Sequence, residues 1–285
     1  MPVTTPCPPS DRPASLGQLP PFPKVALKVL QLLSAPETET RELVQTLSSD
    51  PGFASELLRY ANSPLFGVPQ QIKTVRSAVV VLGRERLRAI TMTVAMSSFL
   101  SAPFRNQIFH RCWQHSLATA LLATGLASVC EDQSPDESYT AGLLHDTGKF
   151  AWLVLHPKQY LGLLRTEWED PLNCLEKEHK LFGMDHCQAG RWLLEDWGLP
   201  PEIVHPAFCH HDAPHAMPLN TVKLVNLACR LATALGFDTL RTRSDLTLQE
   251  ITALLPEQCL GDFALHPEHL REALSTKIAS LAGSA

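Results

Sequence analysis

The chain has 285 residues, 45% hydrophobic and 19% charged, which is the balance of a globular protein of one large or two ordinary domains with a sizeable core. Its 24 Lys and Arg against 29 Asp and Glu leave a net charge of -5, which excludes a global positive field that would draw it to phosphate backbones or anionic lipid. No apolar run approaches the roughly 18–20 residues of a membrane span, the N-terminus lacks a signal-peptide pattern, and eight scattered cysteines with no C-x-x-C pair do not read as a disulfide framework, so a cytoplasmic protein with reduced thiols is expected.

Residues 1–23 are rich in proline, with Pro20, Pro21 and Pro23 at the end, and read as an extended lead-in because proline cannot donate to a hydrogen-bond ladder. From Lys24, Val25, Val29, Leu32 and Leu33 recur at helical spacing, and the pattern resumes at Leu43, Val44 and Leu47. Asp50-Pro51 reads as an N-cap with proline at the first helical position, opening a helix whose Phe53, Leu57, Leu58 and Ala61 share one face. Pro64, Gly67 and Pro69 make 62–71 a loop, Thr74 caps a helix through Leu82, Gly83 ends it, and 84–100 supplies another. Residues 24–102 thus form an N-terminal helical subdomain. The second part, 103–240, is read as helical over 109–130, 137–155, 171–181, 186–197, 200–210 and 218–236. A C-terminal extension, 241–285, is broken by Pro256, Gly261 and Pro267 into helices around 247–254 and 267–281. Strand-type alternation is missing, so the fold class is all-α, one helical bundle packed on another.

Twelve histidines are present, and those of the second part fall in an ordered series: His115, His145-Asp146, His186 and His210-His211. Imidazole and carboxylate together suit divalent iron, manganese, zinc or nickel. The remaining seven, His110, His156, His179, His205, His215, His266 and His269, read as surface or core-packing residues. For the ordered set that bland reading weakens, because His145-Asp146 follows Leu143-Leu144, an apolar run that should be buried, where unpaired polar groups are costly. A metal site is preferred over a hydrogen-bonded network.

The stretch Leu143-Leu144-His145-Asp146-Thr147-Gly148-Lys149, with His115 before it, resembles the signature of the HD superfamily of metal-dependent phosphohydrolases. His186-Cys187-Gln188-Ala189-Gly190 and His210-His211 resemble the additional histidines of the HD-GYP cyclic-dinucleotide phosphodiesterases. Leu19-Pro20, Pro23, Asp50-Pro51, Leu57 to Ser63, Ile72, Ala78 and Leu82-Gly83 resemble the landmarks of the HDOD family, the HD-related output domain, over roughly residues 19–230. Bottom-up, the same landmarks are helix starts, stops and turns.

The resemblance implies one metal held by His115, His145, Asp146 and a later aspartate, matched here by Asn226, and a second held by Asp146, His186, His210 and His211. A neutral amide at Asn226 weakens the first site. Arg111 stands where some relatives carry a glutamate, and no Gly-Tyr-Pro follows His211-Asp212, which argues against a third metal and a dinucleotide-specific loop. Asp146 and Lys149 are the candidate catalytic residues; Lys149 either contacts a phosphate or salt-bridges a carboxylate. The family resemblance implies a signalling or regulatory protein with a residual divalent-metal site, acting through a regulatory protein partner or a nucleotide-like ligand. The alternative is a metal-dependent phosphohydrolase of nucleotides or phosphodiesters. Nucleic-acid binding through the helix-turn-helix layout of 43–60 is disfavoured, since Arg41, Arg59, Arg84, Arg86 and Arg88 are offset by neighbouring Glu and Asp. Cys187 and Cys209, beside His186 and His210, read as buried inert thiols.

Overall fold

A computed structural model describes residues 16–35, 37–100, 107–242, 246–255 and 267–282. The elements are α1 (Lys24–Ser34), α2 (Thr40–Ser48), α3 (Pro51–Ala61), α4 (Val75–Leu100), α5 (Gln107–Ser128), α6 (Pro135–Leu144), α7 (Thr147–Leu155), α8 (Pro157–Arg165), α9 (Pro171–Phe182), α10 (His186–Asp196), α11 (Pro201–Cys209), α12 (Thr221–Ala234), α13 (Leu248–Ala253) and α14 (Pro267–Ala282). The protein is all-α as the sequence predicts. Among the described residues the single exception is a two-residue parallel ladder, β1 (Glu167–Trp168) with β2 (Arg241–Thr242). No described helix is long and apolar enough to cross a membrane. The first fifteen residues of the proline-rich lead-in, the junction near Pro103 and the breaks at Pro256 and Gly261 lie outside the described residues.

The helix starts follow local chemistry. Asp50 accepts the Phe53 N–H at 3.0 Å ahead of Pro51, Asp185 and Thr247 each form a complete capping box, and Ser134, Asp170 and Asn220 cap α6, α9 and α12. Asn62 closes the loop after α3 by pairing both edges of its amide with Ile72, donating to the carbonyl at 2.8 Å and accepting the N–H at 2.7 Å. Helix α4 bends at Gly83, whose φ of 70° suits glycine, so its two halves correspond to the two helices predicted there. Just beyond the bend, Arg84 caps the C-terminus of α1, donating to the carbonyls of Leu32, Leu33 and Ala35.

One continuous core joins the elements. Helix α4 packs on α1, α2 and α3 and also on α6, where the Thr93 and Tyr139 hydroxyls meet at 3.0 Å. At the other end Phe22, from the end of the lead-in, stacks on Trp197 at 4.1 Å, with Phe99 edge-on to the same indole.

Two expectations need correction. Helix α8 was not anticipated; Pro157 opens it at its first position. The stretch 137–155 is two helices, because Asp146 leaves helical geometry at φ −101°, ψ 18°, and the Thr147 hydroxyl closes the end of α6 on the Leu144 carbonyl at 2.7 Å. This break turns both His145 and Asp146 inward. It also brings the start of α7 against the start of α10, where a Cβ on Gly148 would overlap the His186 carbonyl and crowd the Gly190 N–H. Gly148→Ala is therefore expected to lower stability by about 1–3 kcal/mol, read as a lower urea midpoint. An unchanged midpoint would mean that the two helices part without strain.

Candidate metal centre

Asp146 is the hub. Its Oδ2 faces His115 Nε2 at 3.7 Å and His145 Nε2 at 3.5 Å, and its Oδ1 faces His186 Nε2 at 3.6 Å and His210 Nε2 at 3.3 Å. His115 comes from the middle of α5, His145 and Asp146 from the α6–α7 break, His186 from the first residue of α10, and His210 from the turn that ends α11. His211 follows, its Nε2 3.2 Å from that of His186, at the half-buried edge of the group. His115, His145, Asp146, His186 and His210 are all buried.

The rings are oriented from behind. Nδ1 of His115 lies 2.6 Å from the Phe237 carbonyl, Nδ1 of His145 lies 2.7 Å from that of Gly142, and Nδ1 of His210 lies 3.0 Å from that of Ala207. A carbonyl only accepts, so each Nδ1 carries the proton and each Nε2 presents a lone pair to the centre. His186 Nδ1 is held at 2.8 Å by Glu178, which also accepts the His186 backbone N–H at 2.7 Å and the Tyr160 hydroxyl at 2.8 Å. Burial by itself would raise the Glu178 carboxyl, but the adjoining His186 ring and these hydrogen bonds outweigh it and hold it below the ordinary value.

Lone pairs consequently point at lone pairs. His115 and His145 Nε2 stand 3.3 Å apart, and Asp146 Oδ1 and His210 Nε2 face each other with no hydrogen-bond partner. Protonation does not resolve the conflict at neutral pH. Burial pushes His115 down to about 4 against the pull of Asp146, and it lowers His145 and His210 as well. Asp146 stays ionised. Burial would raise it, but the Lys149 ammonium beside it holds it well below the usual carboxylate range. A buried anion faced by the Nε2 atoms of four imidazoles, three oriented by backbone carbonyls and His186 by Glu178, is a donor set that fits divalent cations.

Of the residues singled out in the sequence, His115, His145, Asp146, His186, His210 and His211 come together. Asn226 does not join them. Its amide N–H groups donate to the carbonyls of His210 at 2.9 Å and Asp212 at 2.8 Å, and its oxygen accepts from Arg230 at 3.0 Å. All three polar contacts go to the His210–Asp212 turn and to α12 itself, so Asn226 braces that turn. The α12 residue that reaches the centre is Cys229, with its Sγ 3.5 Å from His115 Nε2. Lys149 is buried, and its ammonium sits 2.8 Å from Asp146 Oδ2 and 3.2 Å from the Thr239 hydroxyl. Of the two contacts left open by the sequence, the one present here is with the carboxylate. Arg111 pairs with Asp238 at 2.6 Å, tying α5 to the turn whose Phe237 carbonyl orients His115. Cys187 lies 4.0 Å from His210 Nδ1, behind the ring, and burial with Asp212 pushes the Cys209 thiol up to about 11.

The sequence reading missed Glu178, Cys229 and Thr239. Glu178 left a trace, since it falls on the stripe of Leu175 and Phe182 in an otherwise charged helix, and a carboxylate on an apolar stripe needs a buried partner.

A helical protein centred on a buried His-Asp pair at a helix break, ringed by histidines from neighbouring helices, is of the HD type. The HDOD domain profile matches residues 19–213, and the chain belongs to that family. An HDOD domain protein of unknown function from Geobacter sulfurreducens superposes with a TM-score of 0.71 at 24% identity, over 94% of this chain and 92% of that one. A protein from Shewanella amazonensis, provisionally named a phosphohydrolase, gives 0.68 at 20% identity over 95% and 97%. A second from that organism, provisionally named a metal-dependent phosphohydrolase, gives 0.66 at 18% over 92% of each. These likenesses establish the fold. An uncharacterized protein from Treponema pallidum (strain Nichols) is 24% identical over 221 residues, 75% of this chain but 43% of that protein's length.

Proposed function

We propose that this protein is a regulatory HDOD module that binds divalent metal at the Asp146 centre and passes that state to a protein partner, or couples it to a nucleotide-like ligand. The observation that carries the reading is the convergence of inward lone pairs from His115, His145, His186 and His210 on the two oxygens of one buried carboxylate. His115, His145 and Asp146 Oδ2 would hold one ion, and His186, His210, His211 and Asp146 Oδ1 a second. Bound ions supply Lewis acidity and lower the pKa of water. The chain's own residues favour binding over turnover: five of the six donors are buried, and Lys149, the cation best placed to steady a phosphoryl group, is engaged by Asp146.

Elemental analysis of untagged protein purified without chelator tests this. Near-stoichiometric divalent metal is expected, and the Asp146→Ala/His186→Ala double variant should lose it. Protein that holds no metal and takes none up on reconstitution would sink the reading and leave the histidines structural.

A second reading, a metal-dependent phosphohydrolase, is favoured by one feature. His211 at the half-buried rim gives the second donor set an edge toward solvent through which a phosphodiester or nucleotide could reach it. Turnover of such substrates by metal-loaded protein, lost in both single variants Asp146→Ala and His186→Ala, would establish it.

A further inference from the structure

The anionic donor that Asn226 lacks is present three residues later, as a thiol. Cys229 Sγ stands 3.5 Å from His115 Nε2, and the Sγ and the two Nε2 atoms of His115 and His145 all lie within 4.8 Å of one another. Those separations have a meaning. A tetrahedral zinc with bonds of about 2.3 Å to sulfur and about 2.0–2.1 Å to nitrogen requires a sulfur–nitrogen edge of about 3.5 Å and a nitrogen–nitrogen edge of about 3.4 Å. The protein shows 3.5 Å and 3.3 Å. Asp146 Oδ2 lies 3.5 and 3.7 Å from the same two imidazoles, while the mutually close donors around the thiol are His115, His145 and Cys229.

We propose that Cys229 is a metal ligand, which makes the His115–His145–Asp146 half of the centre a sulfur-containing site. This rests on the metal-binding reading above. The two halves of the centre then differ in kind. In the His186–His210–His211 half the nearby thiol, Cys187, lies within 4.8 Å of a ring nitrogen of each histidine, but its contact with His210 is at 4.0 Å to Nδ1, the nitrogen that donates to the Ala207 carbonyl, and not to the inward Nε2. Thiolate is the softer donor, so the Cys229 half takes zinc, cobalt or ferrous iron in preference to magnesium or manganese. The thiol proton leaves to solvent as the ion enters. The Cys229 half thereby gains a buried sulfur donor beside two imidazoles, a nitrogen–sulfur set suited to zinc.

The test is cobalt(II) titration of the chelator-stripped full chain, followed by near-ultraviolet and visible absorption, with bound cobalt counted by equilibrium dialysis. Wild-type protein should develop an intense thiolate-to-cobalt charge-transfer band that saturates at one equivalent. Cys187→Ser should keep the band. Cys229→Ser should lose it and bind zinc at least about tenfold more weakly. Cys229→Asp, which restores an anionic donor should the serine variant fold poorly, should bind cobalt without the band. Cobalt bound by wild type with no such band, or a band that survives Cys229→Ser or disappears in Cys187→Ser, overturns the role of Cys229 while leaving the metal centre standing. No bound cobalt in folded wild-type protein overturns both.

Discussion

Asp146→Ala is expected to destabilise the metal-free protein by roughly 3–5 kcal/mol, because it strands the Lys149 ammonium in the interior. Lys149 is almost fully buried, and its neighbours are Asp146 Oδ2 at 2.8 Å and a single threonine hydroxyl at 3.2 Å. The cost belongs to the uncompensated charge rather than to the lost contact, so Asp146→Ala combined with Lys149→Met should recover most of the stability. Urea denaturation of the wild type, both single variants and the double variant gives the cycle. If the double variant is no more stable than Asp146→Ala, Lys149 reaches water when its partner is gone. Metal binding should not recover with stability, because the bridging carboxylate remains absent; the two effects of the mutation are thereby separated.

Metal-free protein should lose stability steeply as pH falls from about 6.5 toward 4. The unfolded chain takes up protons on its histidines near their ordinary pKa of about 6.5, whereas the folded chain does not. Burial depresses His115 to about 4 and lowers His145 and His210 as well, so in this window the unfolded state binds more protons and each pH unit lost favours it. His115 alone, titrating at about 4, is worth roughly 3 kcal/mol of stability that is present above pH 6.5 and gone near pH 4. Asp146, also depressed, adds a loss at still lower pH. Denaturation midpoints across pH 4–8 measure the slope. A flat profile would show that the imidazoles accept protons in place, with the centre opened to solvent.

Much of the architecture was legible because it is written locally. Caps such as Asp50, Asp185 and Asn220 and breakers such as Pro51 and Gly83 act within a few residues, so their spacing identifies helices without reference to the rest of the chain. The break at His145-Asp146 escaped that reading. Buried apolar residues stand on both sides of it, Leu143-Leu144 before and Phe150-Ala151 after, so the helical pattern resumes across the five intervening residues, and Gly148 marks a close approach to α10 that only the folded chain supplies.

The sequence by itself determined the helical class, the family and the six histidine and aspartate residues that the fold brings together, since residue type and order along the chain identify all three. Only the tertiary structure decided which α12 side chain faces them. Asn226 and Cys229 are three residues apart on one helix, close enough that spacing cannot choose between them, and the choice is made by how α12 packs on α5 and by the turn after α11 that claims the Asn226 amide. Likewise the partnership of Glu178 with His186 and the burial of Lys149 against Asp146 depend on where helices meet. Electrostatic roles are set by distance and by exclusion of water, and neither is encoded at any one position in the chain.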